Sequence, residues 1–248
     1  MESLRQYKQE ECEIVKFPNK KDAKLTKAGD IKMTPSNSVK GEAKEVYPIK
    51  SKEDVERIKQ YFLNRSEEAT NNEDKKIYAR YAMLWVVGIN IGLRGSDLVK
   101  LKWGDIFYKG REYKSEGSRV KEKKTDKYKT LFLNKYAKAA IDKYIDEFNP
   151  SLNSDNFIFK SRENGHIQVQ TLGKALQKAA EECGIKVNVN THTIRKTFGF
   201  HWHKGHLGDY EALIHLQKLF NHSSPKVTLR YIGIDDEQTE KYYNDLEW

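Results

Sequence analysis

The sequence predicts a mainly α-helical fold with one small antiparallel β-sheet set among the helices, an α+β arrangement. Apolar residues recur at three- and four-residue spacing through most of residues 51–231. Residues that favour helix starts, Ser51, Asn134 and Thr191, stand just before those runs. Only between Trp103 and Asn134 does the pattern change to apolar and polar alternation with glycine-containing turns, the signature of short strands.

Residues 1–47 carry ten basic and eight acidic side chains without sustained periodicity, so a basic and polar, loosely ordered arm is expected there. Residues 48–248 form the expected domain, with a tail from about 235. Its first helix starts after Ser51, where Asp54 completes the pattern of a capping box and Val55, Ile58 and Phe62 share a face. A second, "KKIYARYAMLWVVGINI", becomes apolar nearly all round, which predicts a central helix stopping at Gly92. "SDLVKL" (96–101) then reads as a short helix capped by Ser96. "WGDIFYKGREYKSEGSRVKEKKTDKYKTLFLN" predicts two or three antiparallel strands. Helices follow from Asn134 to Asn149-Pro150, over "VQTLGKALQKAAEECG", over "HTIRKTFGFHWHKG" after a Thr191 cap, over "DYEALIHLQKLFNH", and after Pro225. The tail holds Ile232, Ile234, Tyr242, Tyr243, Leu246 and Trp248, an apolar set that one short segment cannot bury alone.

Composition narrows the function classes. The N-terminus lacks the apolar stretch of a secretory signal, and the longest apolar run, "AMLWVVGINIGL", is too short to cross a bilayer. Two cysteines, Cys12 and Cys183, give neither a disulfide framework nor a cysteine metal site, which suits a reducing cytoplasm. Formal net charge is +9, and residues 100–138 alone hold thirteen Lys/Arg against five Asp/Glu. Charge concentrated in this way suits a polyanion, because each neutralised phosphate releases condensed counterions. A solvated lysine-rich face is the plain alternative.

Five places carry polar residues that suggest chemistry. In "GLRGSDL" (92–98), Arg94 lies at a junction between two helices, where a rigid guanidinium fork matches two non-bridging phosphate oxygens. Asp97, three positions on, can orient it or simply pair with it. "KEKKTDKYK" (121–129) is a lysine-dense turn from which one lysine could reach a reacting phosphate. In "THTIRKT" (191–197), His192 and Arg195 share a helix face at the helix N-terminus. The last two lie in "LFNHSSPKVTLRYIGI" (219–234), where His222 precedes Tyr231 by nine positions. A histidine after a helix often only caps it, and a tyrosine at an apolar helical position is often core; surrounded by arginines and a lysine, Tyr231 could instead be a nucleophile.

In this order and at these separations, "GLRGSDL", "KKT", "HTIR" and "LFNHSSPKVTLRYIGI" resemble the catalytic domain of the tyrosine recombinases, the phage-integrase family, over roughly residues 48–240. The resemblance implies that fold and a site-specific DNA recombinase that cleaves and rejoins strands through a covalent 3′-phosphotyrosyl intermediate. It implies that Arg94, Arg195 and His222 grip the scissile phosphate, that His192 assists proton movement or hydrogen-bonds the phosphate, and that Asp97 supports them. Tyr231 is then the nucleophile and Lys124 the general acid for the departing 5′ oxygen, with Lys123 the near alternative. No metal, ATP or other cofactor is implied. The implied partners are double-stranded DNA, a homotetramer on two DNA sites exchanging C-terminal tails, and accessory DNA-bending proteins, in the cytoplasm at the nucleoid and with no membrane. Two other classes fit parts of the pattern: a catalytically silent DNA-binding regulator of the same fold, and a metal-dependent nuclease built on "HWHKGH" with His215. A type IB topoisomerase-like relaxase would share the chemistry without needing a second site.

Overall fold

A computed structural model describes residues 45–121, 128–163, 165–234 and 243–246. The expected arm therefore lies outside the described residues except for its last three positions, as do Lys123 and Lys124, most of the tail, Tyr242 and Trp248. The helices are α1 (Lys52–Glu67), α2 (Asn72–Ile91), α3 (Gly95–Leu98), α4 (Trp103–Ile106), α5 (Lys135–Phe148), α6 (Val169–Glu182), α7 (Thr191–Gly205), α8 (Tyr210–Phe220) and α9 (Pro225–Tyr231). Strands β1 (Ser118–Lys121) and β2 (Tyr128–Leu131) fall between α4 and α5 and pair antiparallel, with Ser118 opposite Leu131 and Lys121 opposite Tyr128.

Local chemistry explains most of the boundaries. Ser51 and Asn71 cap α1 and α2 by accepting from the backbone N–H three residues on, at 3.1 and 2.8 Å. Asn134 accepts from the Tyr136 and Ala137 amides at the start of α5, which ends at Asn149 in the left-handed region just before Pro150. Three expectations are corrected. Ser96 lies inside α3, whose N-cap is Arg94, and Asn190, one residue before Thr191, caps α7. Residues 103–106, expected to open the sheet, instead form the single turn α4, held by the Asp105 carboxylate accepting from the Lys102 amide at 2.8 Å.

Helix α2 is central, packed by α1, α5 and α7, as its nearly continuous apolar surface requires. Trp85 is fully buried, and its indole N–H donates to the Val55 carbonyl at 3.0 Å, so the large ring enters the core without an unmet polar group. Around it lie Ile58, Phe62, Leu84, Leu98, Ile141 and Ile194, each fully buried. Each such side chain contributes about 1.5–3 kcal/mol relative to exposure. A second, smaller cluster joins Phe198 and Phe200 of α7 to Leu216 and Phe220 of α8 and to Ile232 and Ile234 beyond α9. Ile232 and Ile234 are thus buried within the chain itself, whereas Tyr243 and Leu246 of the tail are 72% and 52% exposed.

Two glycines set the approach of these layers. Gly92 ends α2 at φ 63°, a left-handed conformation, with Phe198 packed where a β-carbon would stand. At Gly199 a β-carbon would lie 2.7 Å from Ile232 and 2.8 Å from Phe220, so α7 meets α8 and the end of α9 almost backbone to side chain. The segment before α1 also docks on α7: the Ile49 amide donates to Thr197 Oγ1 at 2.9 Å, and His201 Nε2 contacts the Ile49 carbonyl at 3.0 Å. No helix among the described residues is long and apolar enough to cross a membrane.

Candidate active site

The left-handed turn at Gly92 carries the chain off α2 into an extended Arg94, placing its side chain at the start of α3. Asp97 follows within the same turn and is 4% exposed. Arg195 projects from the second turn of α7 and is 2% exposed. Its Nη1 donates to the Gly92 carbonyl at 2.7 Å and its Nη2 to the Phe220 carbonyl at 3.0 Å, and the guanidinium carbon stands 4.2 Å from the Phe220 ring centroid. Two carbonyls at helix ends and an aromatic face therefore fix a cation that burial would otherwise penalise.

His222 is set by the end of α8. Asn221 takes the left-handed conformation at φ 53°, and Gln217 brackets His222: its carbonyl accepts from the His222 amide at 3.0 Å and its side-chain amide donates to the His222 carbonyl at 3.1 Å. The imidazole Nδ1 lies 3.1 Å from the Thr228 hydroxyl, and Thr228 is fully buried. Burial first, then the positive charges of Arg195 and Arg94, push the His222 imidazole down to about 4, so it is neutral near pH 7.

Helix α9 is started by Ser224, whose hydroxyl accepts from the Val227 amide at 3.3 Å, with Pro225 in the first turn. Its last residue is Tyr231. The ring meets His222 and Phe220 edge to face, with centroids 5.0 and 5.6 Å apart. Lys196 Nζ stands over the same ring, 5.1 Å from its centroid. Burial raises the Tyr231 phenol above its usual range, while the Arg195 and Arg94 charges and an Arg195 hydrogen bond pull the other way. The phenol is protonated at neutral pH and sits among donors suited to an anion.

The structure thus brings together Arg94, Arg195, His222 and Tyr231 from four separate segments. Asp97 lies beside Arg94 in the chain and is buried. His192 is exposed on the first turn of α7, three residues before Arg195. Lys124 belongs to residues 122–127, between β1 and β2, and lies outside the described residues. Thr228, Lys196 and the Phe220 platform were not singled out from the sequence. Only Thr228 had a usable signal there, standing three residues before Tyr231 on a helix and so beside it.

The histidines of "HWHKGH" are distributed differently. His201 meets the Ile49 carbonyl and His206 Nδ1 the Trp202 carbonyl at 2.7 Å. Among the described residues no three His, Cys, Asp or Glu side chains converge to hold a metal ion.

An arrangement of two guanidinium groups, a neutral imidazole and a phenol can receive a tetrahedral anion and stabilise the charge that builds on it during attack. Residues 52–238 match the family model described as "Phage integrase family". Among curated proteins, the chain is 34% identical over 199 residues to the probable integrase/recombinase YoeC of Bacillus subtilis, covering 80% of this chain and 95% of that one. It is 26% identical over 191 residues to the tyrosine recombinase XerC of Actinobacillus pleuropneumoniae, covering 77% of this chain and 57% of that one. Among solved structures, the XerA recombinase superposes with a TM-score of 0.57 at 20% identity, over 86% of this chain and 68% of that one. XerH bound to its palindromic difH substrate, a post-cleavage complex, gives 0.57 at 18% identity over 79% and 51%. At such identities the structures speak for the fold. The chain spans nearly all of YoeC but little more than half of XerC.

Proposed function

The chain belongs to the phage integrase family and is a tyrosine-type site-specific recombinase, and from that premise we propose how its own residues cleave and rejoin double-stranded DNA. The reading rests on one observation: the Tyr231 ring packs edge to face on His222 and on Phe220, the same ring that carries the buried Arg195 guanidinium. Arg94, Arg195 and His222 hold the scissile phosphate, and His192 at the start of α7 assists. The Tyr231 oxygen forms a bond to phosphorus, the bond from phosphorus to the 5′ oxygen breaks, and the 3′ phosphate stays on the protein. The phenolic proton leaves to the surrounding bases or water as the bond forms, and Lys124, on the β1–β2 connection, protonates the departing 5′ oxygen. Asp97 supports Arg94. Charge on the phosphoryl oxygens is met by fixed guanidinium and imidazole donors, so the step needs no metal. Because the phosphotyrosyl bond conserves the energy of the bond it replaced, a correctly placed 5′ hydroxyl reverses the step without ATP.

On this reading residues 48–248 are the catalytic domain, and the positive segment 100–138 tracks the DNA backbone. The working assembly is a homotetramer on two DNA sites joined by exchanged C-terminal tails, helped by DNA-bending proteins, at the nucleoid in the cytoplasm.

The test uses nicked suicide duplexes tiled across the DNA that flanks the protein's own coding sequence. The wild-type chain is expected to form a denaturation-resistant protein–DNA adduct in EDTA, and Tyr231→Phe to bind the same DNA with no adduct. An adduct in that variant, or one that needs a divalent ion, would overturn the assignment.

A further inference from the structure

Consecutive residues of α7 bear on Tyr231, one through Phe220 and one directly. Successive helix positions are about 100° apart, so neighbours ordinarily serve different surfaces. Here Arg195 stacks on the Phe220 ring that meets Tyr231 edge to face, while Lys196 places its ammonium over the ring of the same tyrosine, 5.1 Å from the centroid. That ammonium is itself held, because Lys196 Nζ donates to the Val46 carbonyl at 2.7 Å.

Val46 lies 150 residues from Lys196 in the chain, in the segment that enters the domain ahead of α1. This segment is fastened along α7 and the turn before it. The Asn188 side chain donates to the Glu45 carbonyl at 3.1 Å, the buried Ile49 amide donates to Thr197 Oγ1 at 2.9 Å, and His201 meets the Ile49 carbonyl at 3.0 Å. Pro48 packs on Gly233, two residues beyond Tyr231, where an added β-carbon would sit 3.5 Å from the proline ring. The same short segment therefore supports the lysine over the tyrosine ring and braces the chain just after it.

We propose that Lys196 is a positioning residue for Tyr231, and that residues 45–50 form a strap which sets the lysine and so couples the chain entering the domain to the attacking tyrosine. The proposal rests on the reading of Tyr231 as nucleophile. Tyr231 closes a seven-residue helix and is followed by Gly233 in the left-handed region, so its backbone alone fixes the ring weakly. A flexible lysine stem is a poor clamp unless its head group is tied, and the Val46 carbonyl ties it. The ring then keeps its packing against His222 and Phe220 as a phosphate enters.

The decisive experiment measures single-turnover cleavage at saturating DNA, and DNA affinity, on a suicide duplex cut by the wild-type full-length chain. Lys196→Met keeps the stem and removes the charge. It should slow cleavage by about tenfold or more, the scale on which small misplacements of a reacting group act, with affinity and melting temperature little changed. Lys196→Arg should restore most of the rate. Thr197→Val, which releases the strap at Ile49, should slow cleavage in the same way, Thr197→Ser should not, and the Lys196→Met/Thr197→Val pair should be no slower than Lys196→Met. Wild-type rates in Lys196→Met, or rate and affinity falling together as for a phosphate contact, would overturn the positioning role. Losses that multiply in the double variant would overturn the strap. If the wild-type chain itself forms no adduct, the nucleophile reading falls and the proposal with it; an adduct with Lys196→Met unimpaired removes the proposal alone.

Discussion

At His222 burial and two neighbouring guanidinium charges act together, holding the imidazole neutral down to about pH 4. A neutral ring has one N–H, and which nitrogen carries it decides whether the ring can donate to a phosphate oxygen. Thr228 Oγ1 is 3.1 Å from Nδ1 and 3.4 Å from the Ser224 carbonyl. The shorter contact favours the hydroxyl donating to Nδ1, which leaves the proton on Nε2. An arriving phosphodiester offsets the arginine charges, so the His222 resonance should titrate near 4 in the free protein and move up on DNA binding; NMR that shows no movement would contradict its place at the phosphate. The folded-state value lies below the usual 6.5, so the unfolded chain takes up the proton first on acidification. The stabilisation is therefore full above 6.5 and is lost as pH falls from 6.5 through about 4. Thr228→Val should shift the tautomer signal of His222 and slow cleavage by about one to two powers of ten, with DNA affinity preserved. Arg94, Arg195, His222 and Tyr231 were legible in the sequence because their order and spacing carry the pattern. Lys196 was not, because its contacts join Val46 and Tyr231, which nothing local to residue 196 announces.

Among the elements, α7 has the heaviest duty. It supplies Arg195 and Lys196, receives the entering strap, and lets α8 and the end of α9 close on it at Gly199. Gly199→Ala would set a β-carbon within 2.7 Å of Ile232 and 2.8 Å of Phe220, the latter also the platform for Arg195. Overpacking of this kind costs about 1–3 kcal/mol. For a domain of this size each kcal/mol lowers the melting temperature by about 2–4 °C. Calorimetry should show that loss, with cleavage reduced more than DNA binding; an unchanged melting temperature would mean that α8 and α9 shift freely, contrary to the packing. Helix starts at Ser51 and Asn134 could be read from the sequence because cap chemistry is local. The turn α4 could not: four residues with apolar ends fit a strand as well as a helical turn, and the choice is made by Trp103, 2% exposed and stacked on Phe107 at 5.8 Å.

For the whole molecule, the apolar tail divides in two. Ile232 and Ile234 are buried in the chain's own smaller core, while Tyr243 and Leu246 are exposed. The sequence alone could not make this division, since both halves are equally apolar. Removing residues 237–248 leaves the buried pair in place, so it should weaken assembly on two duplexes more than binding to one, measured by sedimentation at matched DNA concentration. Equal assembly with and without them would argue against tail exchange. The central claim, that four dispersed segments fold into a site whose nucleophile is Tyr231, is met most directly by mass spectrometry of the nuclease-digested covalent complex. A nucleotide-bearing peptide joined through Tyr231 is the expected result; attachment at any other residue would contradict the account.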